Sequence, residues 1–254
     1  MSGEGKFFTG LHKGNGEFEG RVNEGNNKKM IVEDFKVAPV MSAALGSAAT
    51  ATSASLMHMG KNTFLTTPIV GQTLIAPVIA ATGLDVAGDQ TDNDGREIDF
   101  SGAGAVIVPE KSYKVGAGAF YGKLKFSLAD VSGTDLCMFG FRKAAAHNAD
   151  ATAYTDFATL NVVSGNISVS TNLNSAGIST TDTTDDWADT ETHELEVYVS
   201  TAGVATFKID GVAPTVTAAV TLDTGDSFIP FFQFLQAANL CDTIILINLE
   251  VGLQ

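Results

Sequence analysis

The sequence is poor in cysteine and in basic residues, and each shortage excludes a class of protein. Its 254 residues include two cysteines, Cys137 and Cys241, which are too few for a disulfide scaffold. We expect two buried thiols, and their pairing stays open in case the predicted strands that carry them are neighbours. Lys and Arg number 15 against 29 Asp and Glu, a formal net charge of −14, so the chain lacks the basic surface that phosphate binding requires. Nucleic acid is therefore not an expected partner.

Long runs of large apolar side chains are also absent. Residues 37–60 and 62–84 carry no Lys, Arg, Asp or Glu, but Ser, Thr, Gly and Pro interrupt both segments. A membrane helix needs about 20 mostly apolar residues, so we expect no membrane partner. Residues 1–18 hold charges and glycines where a secretory signal has a continuous apolar segment, which predicts a protein made in a cytoplasm.

Strand patterns dominate the chain from about residue 85 onward. In Phe120–Leu128 and in residues 193–199, apolar side chains alternate with polar ones, which is the period of a half-buried strand. Similar segments separated by Gly-containing turns predict further strands at residues 97–101, 105–108, 136–142, 157–163, 166–170, 204–209, 215–220, 228–235 and 243–251. Many short strands with almost no helical period predict an all-β fold, a two-sheet antiparallel sandwich.

Residues 1–84 lack this regular pattern. Residues 1–36 are glycine-rich, with six basic and six acidic side chains and no sustained period, which predicts an extended segment. Residues 37–84 are too apolar to stay solvated and too interrupted by Gly and Pro for a compact helical unit. Such a segment would lie along another surface, either of its own domain or of another subunit. We therefore predict a docking arm at residues 1–84 and a sandwich domain at residues 85–254.

Several segments between residues 83 and 254 carry a resemblance to a known family. They are residues 83–97 (GLDVAGDQTDNDGRE), 129–135, 140–143, 187–194, 208–211, 229–232 (IPFF) and 249–252. In order and type they resemble a group of tailed-phage virion proteins built on a concanavalin A-like jelly-roll sandwich. The resemblance covers about two thirds of the chain. It implies a jelly roll preceded by an extended arm.

The same resemblance implies a structural component of a virus particle. The function expected from it is that of a capsid decoration or cement protein on the virion surface, with the major capsid protein and further copies of itself as partners. The arm would dock on the shell through its larger apolar side chains, which are Phe7, Phe8, Phe35, Val37, Val40, Leu56, Phe64, Leu65 and Ile69. Fibre and tail proteins also carry such sandwiches, so the position on the particle stays open.

A carbohydrate-binding module on a head or tail fibre is the alternative. Such a module would bind a host glycan during adsorption, and aromatic side chains would contact the sugar. Tyr121, Trp187 and Tyr198 are the candidate contacts. Single aromatic residues scattered over a sandwich are also typical of packing, so the sequence alone does not decide between the two roles.

Catalysis finds no support among the side chains. Glycoside hydrolases place two carboxylates about 5 Å apart on one face, and Glu194 and Glu196 alternate on one predicted strand. The positions at which that pattern would continue with acidic residues hold Tyr198 and Val199 instead. We therefore interpret Glu194 and Glu196 as an outward, solvated pair. No nucleophile elbow, phosphate loop or dinucleotide motif occurs. We expect a protein that is not an enzyme.

Calcium is the cofactor that the sequence leaves open, although none is expected. Six Asp, Asn or Glu side chains crowd residues 85–97, and Asp89, Asp92 and Asp94 are the candidate ligands. The register of a calcium loop fails, because its first and last positions fall on Gln90 and Ser101. A turn-rich loop is the alternative. The four histidines lack the spacing of a zinc site.

Overall fold

The alternating segments form strands in a computed structural model of the protein, which describes residues 30–42, 54–69, 76–88, 92–102, 111–148 and 150–254. In chain order the strands are β1 (Ile31–Glu33), β2 (Val40–Met41), β3 (Ser55–Met59), β4 (Asn62–Pro68), β5 (Val78–Ile79), β6 (Leu84–Asp85), β7 (Gly95–Asp99), β8 (Tyr113–Lys114), β9 (Phe120–Leu128), β10 (Thr134–Lys143), β11 (Phe157–Val163), β12 (Asn166–Asn172), β13 (Ser179–Asp186), β14 (Thr192–Val199), β15 (Val204–Ile209), β16 (Val220–Thr221), β17 (Ser227–Gln236) and β18 (Ile244–Leu253). Short 3-10 turns at Val131–Gly133 and Ala151–Ala153 connect some of them.

Two antiparallel sheets pack face to face. The eight-stranded sheet has the order β16-β15-β14-β9-β18-β6-β5, with β1 also paired to β18. The ten-stranded sheet has the order β13-β12-β11-β10-β17-β7-β4-β3-β2, with β8 also paired to β17. The predicted all-β sandwich is therefore confirmed. No helix in the described ranges has the length and apolar character needed to cross a membrane.

The core lies between the sheets and is rich in aromatic rings. Tyr113, Phe120 and Phe141 contact one another with ring centroids 4.9–5.9 Å apart, and each of the three is fully buried. Gly122 makes this packing possible, since a β carbon there would lie 3.2 Å from the rings of Phe139 and Phe141. Aromatic pairs of this kind add about 0.5–1.5 kcal/mol each beyond the area they bury.

Part of the predicted arm belongs to the sandwich. The hairpin of β3 and β4 pairs with β7, and Phe64 is buried against Phe100 at a centroid distance of 5.2 Å. Near the start of the described residues, β1 pairs with β18. The sandwich therefore begins well before residue 85, because these apolar side chains are buried against their own domain. Residues 1–29 lie outside the described residues.

Two further segments differ from their predictions. Residues 179–186, which are not among the predicted strands, form the edge strand β13, in which the buried Thr183 hydroxyl donates to the Ile167 carbonyl at 2.5 Å. An edge strand needs no apolar face, since backbone pairing to β12 holds it. Residues 215–219 are irregular, and only Val220–Thr221 pair as a strand. The strand predicted at residues 105–108 lies outside the described residues.

Candidate functional site

The outer face of the eight-stranded sheet carries two tyrosines side by side. Tyr121 on β9 and Tyr198 on β14 are direct cross-strand partners, and their rings lie 5.9 Å apart at an interplanar angle of 21°. Both side chains are half-buried. Alternation along each strand directs them outward, because their neighbours Phe120 and Val199 are directed into the core. We call these two rings the tyrosine platform.

Two carboxylates anchor the platform. The Tyr121 hydroxyl donates a short hydrogen bond to Glu250 on β18, and the Tyr198 hydroxyl donates one to Glu196 on β14. The Lys123 ammonium lies 3.2 Å from Glu196 Oε2. Hydrogen bonds to both hydroxyls fix the rings in position, so the platform is organised before any ligand arrives.

The pKa values of these groups fit that arrangement. Burial and the hydrogen bond to Glu250 raise the pKa of Tyr121, and burial and the hydrogen bond to Glu196 raise the pKa of Tyr198. Burial lowers the pKa of Lys123, but its hydrogen bonds with Tyr198 and Glu196 outweigh burial and raise it. Both hydroxyls therefore stay protonated donors and Lys123 stays charged at neutral pH.

Gly252 lies beneath the Tyr121 ring and leaves room for it, although a single β carbon there would meet the ring only at ordinary contact distance. Gly252 is the cross-strand partner of Tyr121 on β18, and a β carbon there would lie 3.4–3.6 Å from Cε1, Cζ and the hydroxyl of Tyr121. The aromatic ring covers the bare glycine backbone, a pairing that also stabilises sheets. A large side chain at position 252 would displace the ring.

The prediction for the Glu194 and Glu196 pair is wrong at Glu196. Both side chains do lie on the outer face, but that of Glu196 is only 2% exposed, because Tyr198 and Lys123 enclose it. Its Oε1 atom is buried without a hydrogen-bond partner. Glu194 and Glu196 therefore do not form a solvated pair, because Glu196 is buried and holds the tyrosine platform in place.

Trp187, the third candidate glycan contact, does not join the platform. Its side chain is 2% exposed and packs on Phe126 with ring centroids 4.6 Å apart. The indole N–H donates to the Glu191 carbonyl at 3.2 Å. Trp187 is therefore a core residue, because its only polar atom is satisfied inside the protein.

The ten-stranded sheet carries a second polar cluster, which the sequence did not predict. On its outer face, the Arg142 guanidinium donates to Glu97 Oε1 at 2.8 Å and the Tyr154 hydroxyl donates to Glu97 Oε2 at 2.5 Å. His147 Nδ1 lies 3.5 Å from Glu97 Oε1. Arg142 also stacks over the Tyr154 ring at 4.5 Å from its centroid. Glu97 and Arg142 are 45 residues apart in the sequence, so no local motif predicts this ion pair.

The two carboxylates of this cluster differ in their pKa. Burial raises the pKa of Glu97, but Arg142, the nearby His147 ring and the hydrogen bond from Tyr154 outweigh burial and lower the pKa. Burial raises the pKa of Asp99 despite Arg142 and Ser101. The Arg142 and Glu97 side chains are 0% and 2% exposed, so a ligand cannot reach them in this structure. The cluster fastens the connection between β10 and β11 to the sheet.

A cavity of about 240 Å³ lies beside this cluster. Its lining residues are Ile69, Leu136, Asp150, Ala151, Ile178, Gln233 and Leu235. Ligand pockets are usually about 300–1,000 Å³ and present several convergent polar groups. This cavity is smaller and mostly aliphatic, so it suits a sugar less well than the tyrosine platform does.

The predicted docking residues are found in different environments. Phe35, Phe64 and Ile69 are buried in the sandwich, and Leu56 and Leu65 are half-buried, so these five do not form a free apolar arm. Val37 and Val40 are exposed at 60% and 68%. Phe7 and Phe8 lie outside the described residues. The capsid partner, the self-association and the virion location stay predictions.

The candidate calcium ligands do not form a site in the described part of the chain. Asp92 is exposed and Asp94 is buried, whereas Asp89 lies outside the described residues. Among the side chains that the structure describes, no group of three or more His, Cys, Asp or Glu is placed to hold a metal ion. The described residues do not test calcium binding by the whole loop, for which no cofactor is expected from the sequence.

The two cysteines are free and buried. Burial raises the pKa of Cys137 well above its ordinary value and raises that of Cys241 to about 11. Thiols with such pKa values are poor nucleophiles at neutral pH.

The chain matches no protein-family model and no curated protein sequence. Its fold does match solved structures. The carbohydrate recognition domain of Emp47p aligns with a TM-score of 0.51 and 12% identity, over 84% of this chain and 96% of that domain. The same domain of Emp46p, in a metal-free form, gives 0.51 and 7% over 74% and 87%. A Shewanella oneidensis MR-1 protein of unknown function gives 0.50 and 13% over 88% and 85%.

These matches define the class of the fold. The chain is a concanavalin A-like jelly-roll sandwich of the kind found in lectin domains. At 7–13% identity the likeness concerns the fold, and function must be argued from the site.

Proposed function

We propose that the protein is a carbohydrate-binding module whose ligand lies on the tyrosine platform. The observation that carries this proposal is the half-buried, nearly parallel ring pair of Tyr121 and Tyr198 on the outer face, held by buried or half-buried carboxylates. Aromatic faces next to charged hydrogen-bonding groups offer a pyranose both of the contacts it needs, one for its C–H face and one for its hydroxyls. The likeness to carbohydrate recognition domains supports the same function.

The alternative is that the two tyrosines only stabilise the sheet. A cross-strand aromatic pair stabilises a sheet by about 0.2–1 kcal/mol, and Tyr121 also covers Gly252. That role needs neither the exposed ring surface nor the lysines beside it. If the module belongs to a particle surface, as the sequence resemblance implies, glycan binding would serve adsorption to a host.

A glycan array followed by calorimetric titration tests the proposal. We expect the full chain to bind a subset of immobilised glycans, and Tyr121→Ala and Tyr198→Ala to weaken that binding about tenfold or more, since anchoring aromatic residues dominate binding energies. Thr180→Ala on exposed β13 is the matched control and should leave binding unchanged.

Circular dichroism of each variant separates lost binding from lost folding. An array without a retained glycan at high protein concentration would overturn the proposal, as would tyrosine variants that fold and bind like the parent chain.

A further inference from the structure

The charged groups around the tyrosine platform differ in how far they reach from the sheet. Glu196 is enclosed, with 2% of its side chain exposed, whereas the Lys123 side chain beside it is 29% exposed. Glu250 is half-buried and is bound by the Tyr121 hydroxyl. Glu196 is thus turned toward the protein, whereas Lys123 belongs to an outer layer of partly exposed side chains that also includes Glu194 and Glu250.

Two further lysines of this layer have no carboxylate in contact. Lys208 on β15 lies opposite Glu196, with its ammonium 5.2 Å from the centroid of Tyr198. Lys125 on β9 lies between Glu194 and Asn248. Among the described residues, no carboxylate oxygen lies within 4.0 Å of either ammonium.

This arrangement is unusual for a chain with a net charge of −14. An ammonium group can donate a hydrogen bond to a hydroxyl of a neutral sugar, but a carboxylate would gain a stronger, charge-assisted hydrogen bond from each ammonium it reaches. Lys208 is best placed, because its ammonium lies over the Tyr198 ring, 5.2 Å from the ring centroid. Lys123 is already paired with Glu196, and Lys125 lies two residues further along β9, opposite Glu194.

We propose that the tyrosine platform binds an acidic glycan, with a uronic or similar sugar on the rings and its carboxylate at Lys208. This inference rests on the glycan-binding function proposed above and names the ligand class of the same site. The enclosed Glu196 keeps Lys123 in place beside the rings.

Calorimetric titration with an acidic oligosaccharide and its carboxyl-reduced neutral counterpart tests the inference. The acidic oligosaccharide is the strongest acidic binder of the array. We expect the neutral form to bind about tenfold more weakly, which corresponds to the loss of one charge-assisted contact. Lys208→Gln should weaken binding of the acidic form by a similar factor and leave the neutral form unchanged. Lys114→Gln, an exposed lysine on β8 of the other sheet, is the matched control.

Salt provides an independent readout, since ammonium and carboxylate attract each other less at high ionic strength. Affinity for the acidic form should fall with added NaCl, and the Lys208→Gln variant should lose most of that dependence. Equal affinity for the acidic and neutral forms, or an array that retains neutral glycans only, would overturn the acidic ligand and leave the glycan-binding function standing. Retention of no glycan of either kind would overturn both.

Discussion

Replacing Glu97 with glutamine tests how much the buried ion pair between Glu97 and Arg142 contributes to the stability of the protein. The substitution keeps the shape of the side chain and removes its charge. Arg142 would then be a buried cation whose nearest charged partner, 2.8 Å away in the parent chain, is gone. Removing one member of a buried pair typically costs about 3–5 kcal/mol, because the other charge is left uncompensated.

The hydrogen bonds of Glu97 support a loss of unfolding free energy in that range. Glu97 accepts hydrogen bonds from Arg142 and from Tyr154, at 2.8 and 2.5 Å, and bonds to a charged group contribute about 1.5–3 kcal/mol each. A glutamine oxygen can still accept one of the two. We therefore expect Glu97→Gln to lower the free energy of unfolding at pH 7 by about 3–5 kcal/mol.

Chemical denaturation followed by circular dichroism measures this change. Glu194→Gln on the outer face of the other sheet is the matched control, since Glu194 is half-buried and lies in no ion pair within the described residues. It should change stability by no more than about 0.5–1 kcal/mol. A loss below about 1 kcal/mol for Glu97→Gln would refute the reasoning, because the pair would then contribute no more than a surface salt bridge.

The pH dependence gives a second check on the same pair. The pKa of Glu97 lies below its ordinary value of 4.5, so its stabilising contribution is complete above pH 4.5 and is lost as the pH falls through the folded-state pKa. The stability difference between the parent chain and Glu97→Gln should therefore stay constant from pH 7 to about 5 and shrink in more acidic solution. A difference that grows on acidification would contradict this sign.

Two other predictions concern buried side chains. Trp187 is the single tryptophan and is 2% exposed, so its fluorescence should be blue-shifted and protected from acrylamide, and Trp187→Ala should cost about 3–5 kcal/mol in a denaturant titration. Emission typical of a solvated indole would contradict its place in the core. Cys137 and Cys241 should react with a thiol reagent only as fast as the protein unfolds, because burial raises the pKa of both thiols. Labelling of the native protein at the rate of a free thiol would show that the thiols are accessible.

Local alternation was sufficient to predict the central strands. Phe120–Leu128 has the bounds of β9, and residues 193–199 match β14 to within one residue, since both strands are buried on one face only. Strand β13 carries no apolar face, so pairing with β12 determines it and periodicity cannot. The β3 and β4 hairpin was assigned to an arm because its partner β7 begins 27 residues after Pro68.

The candidate site was predicted only in part. The sequence suggests Tyr121 and Tyr198 because aromatic side chains contact sugar rings, and the structure brings the two together because β9 and β14 pair in that register. Trp187 was selected on the same ground and is buried, since exposure of a large ring depends on neighbours that the sequence does not reveal. Burial of Glu196 follows from the side chains of adjacent strands, Lys123 among them.

The position of the last two strands determines when this chain can fold. β17 lies between β10 and β7, and β18 lies between β9 and β6, so each sheet receives a central strand from the final 28 residues. During synthesis neither sheet can close until β17 and β18 have left the ribosome, and until then the earlier strands have unpaired edges. Folding is therefore expected to be slow, as is typical of proteins dominated by long-range contacts. A chain that ends before residue 227 would lack the centre of both sheets and should aggregate.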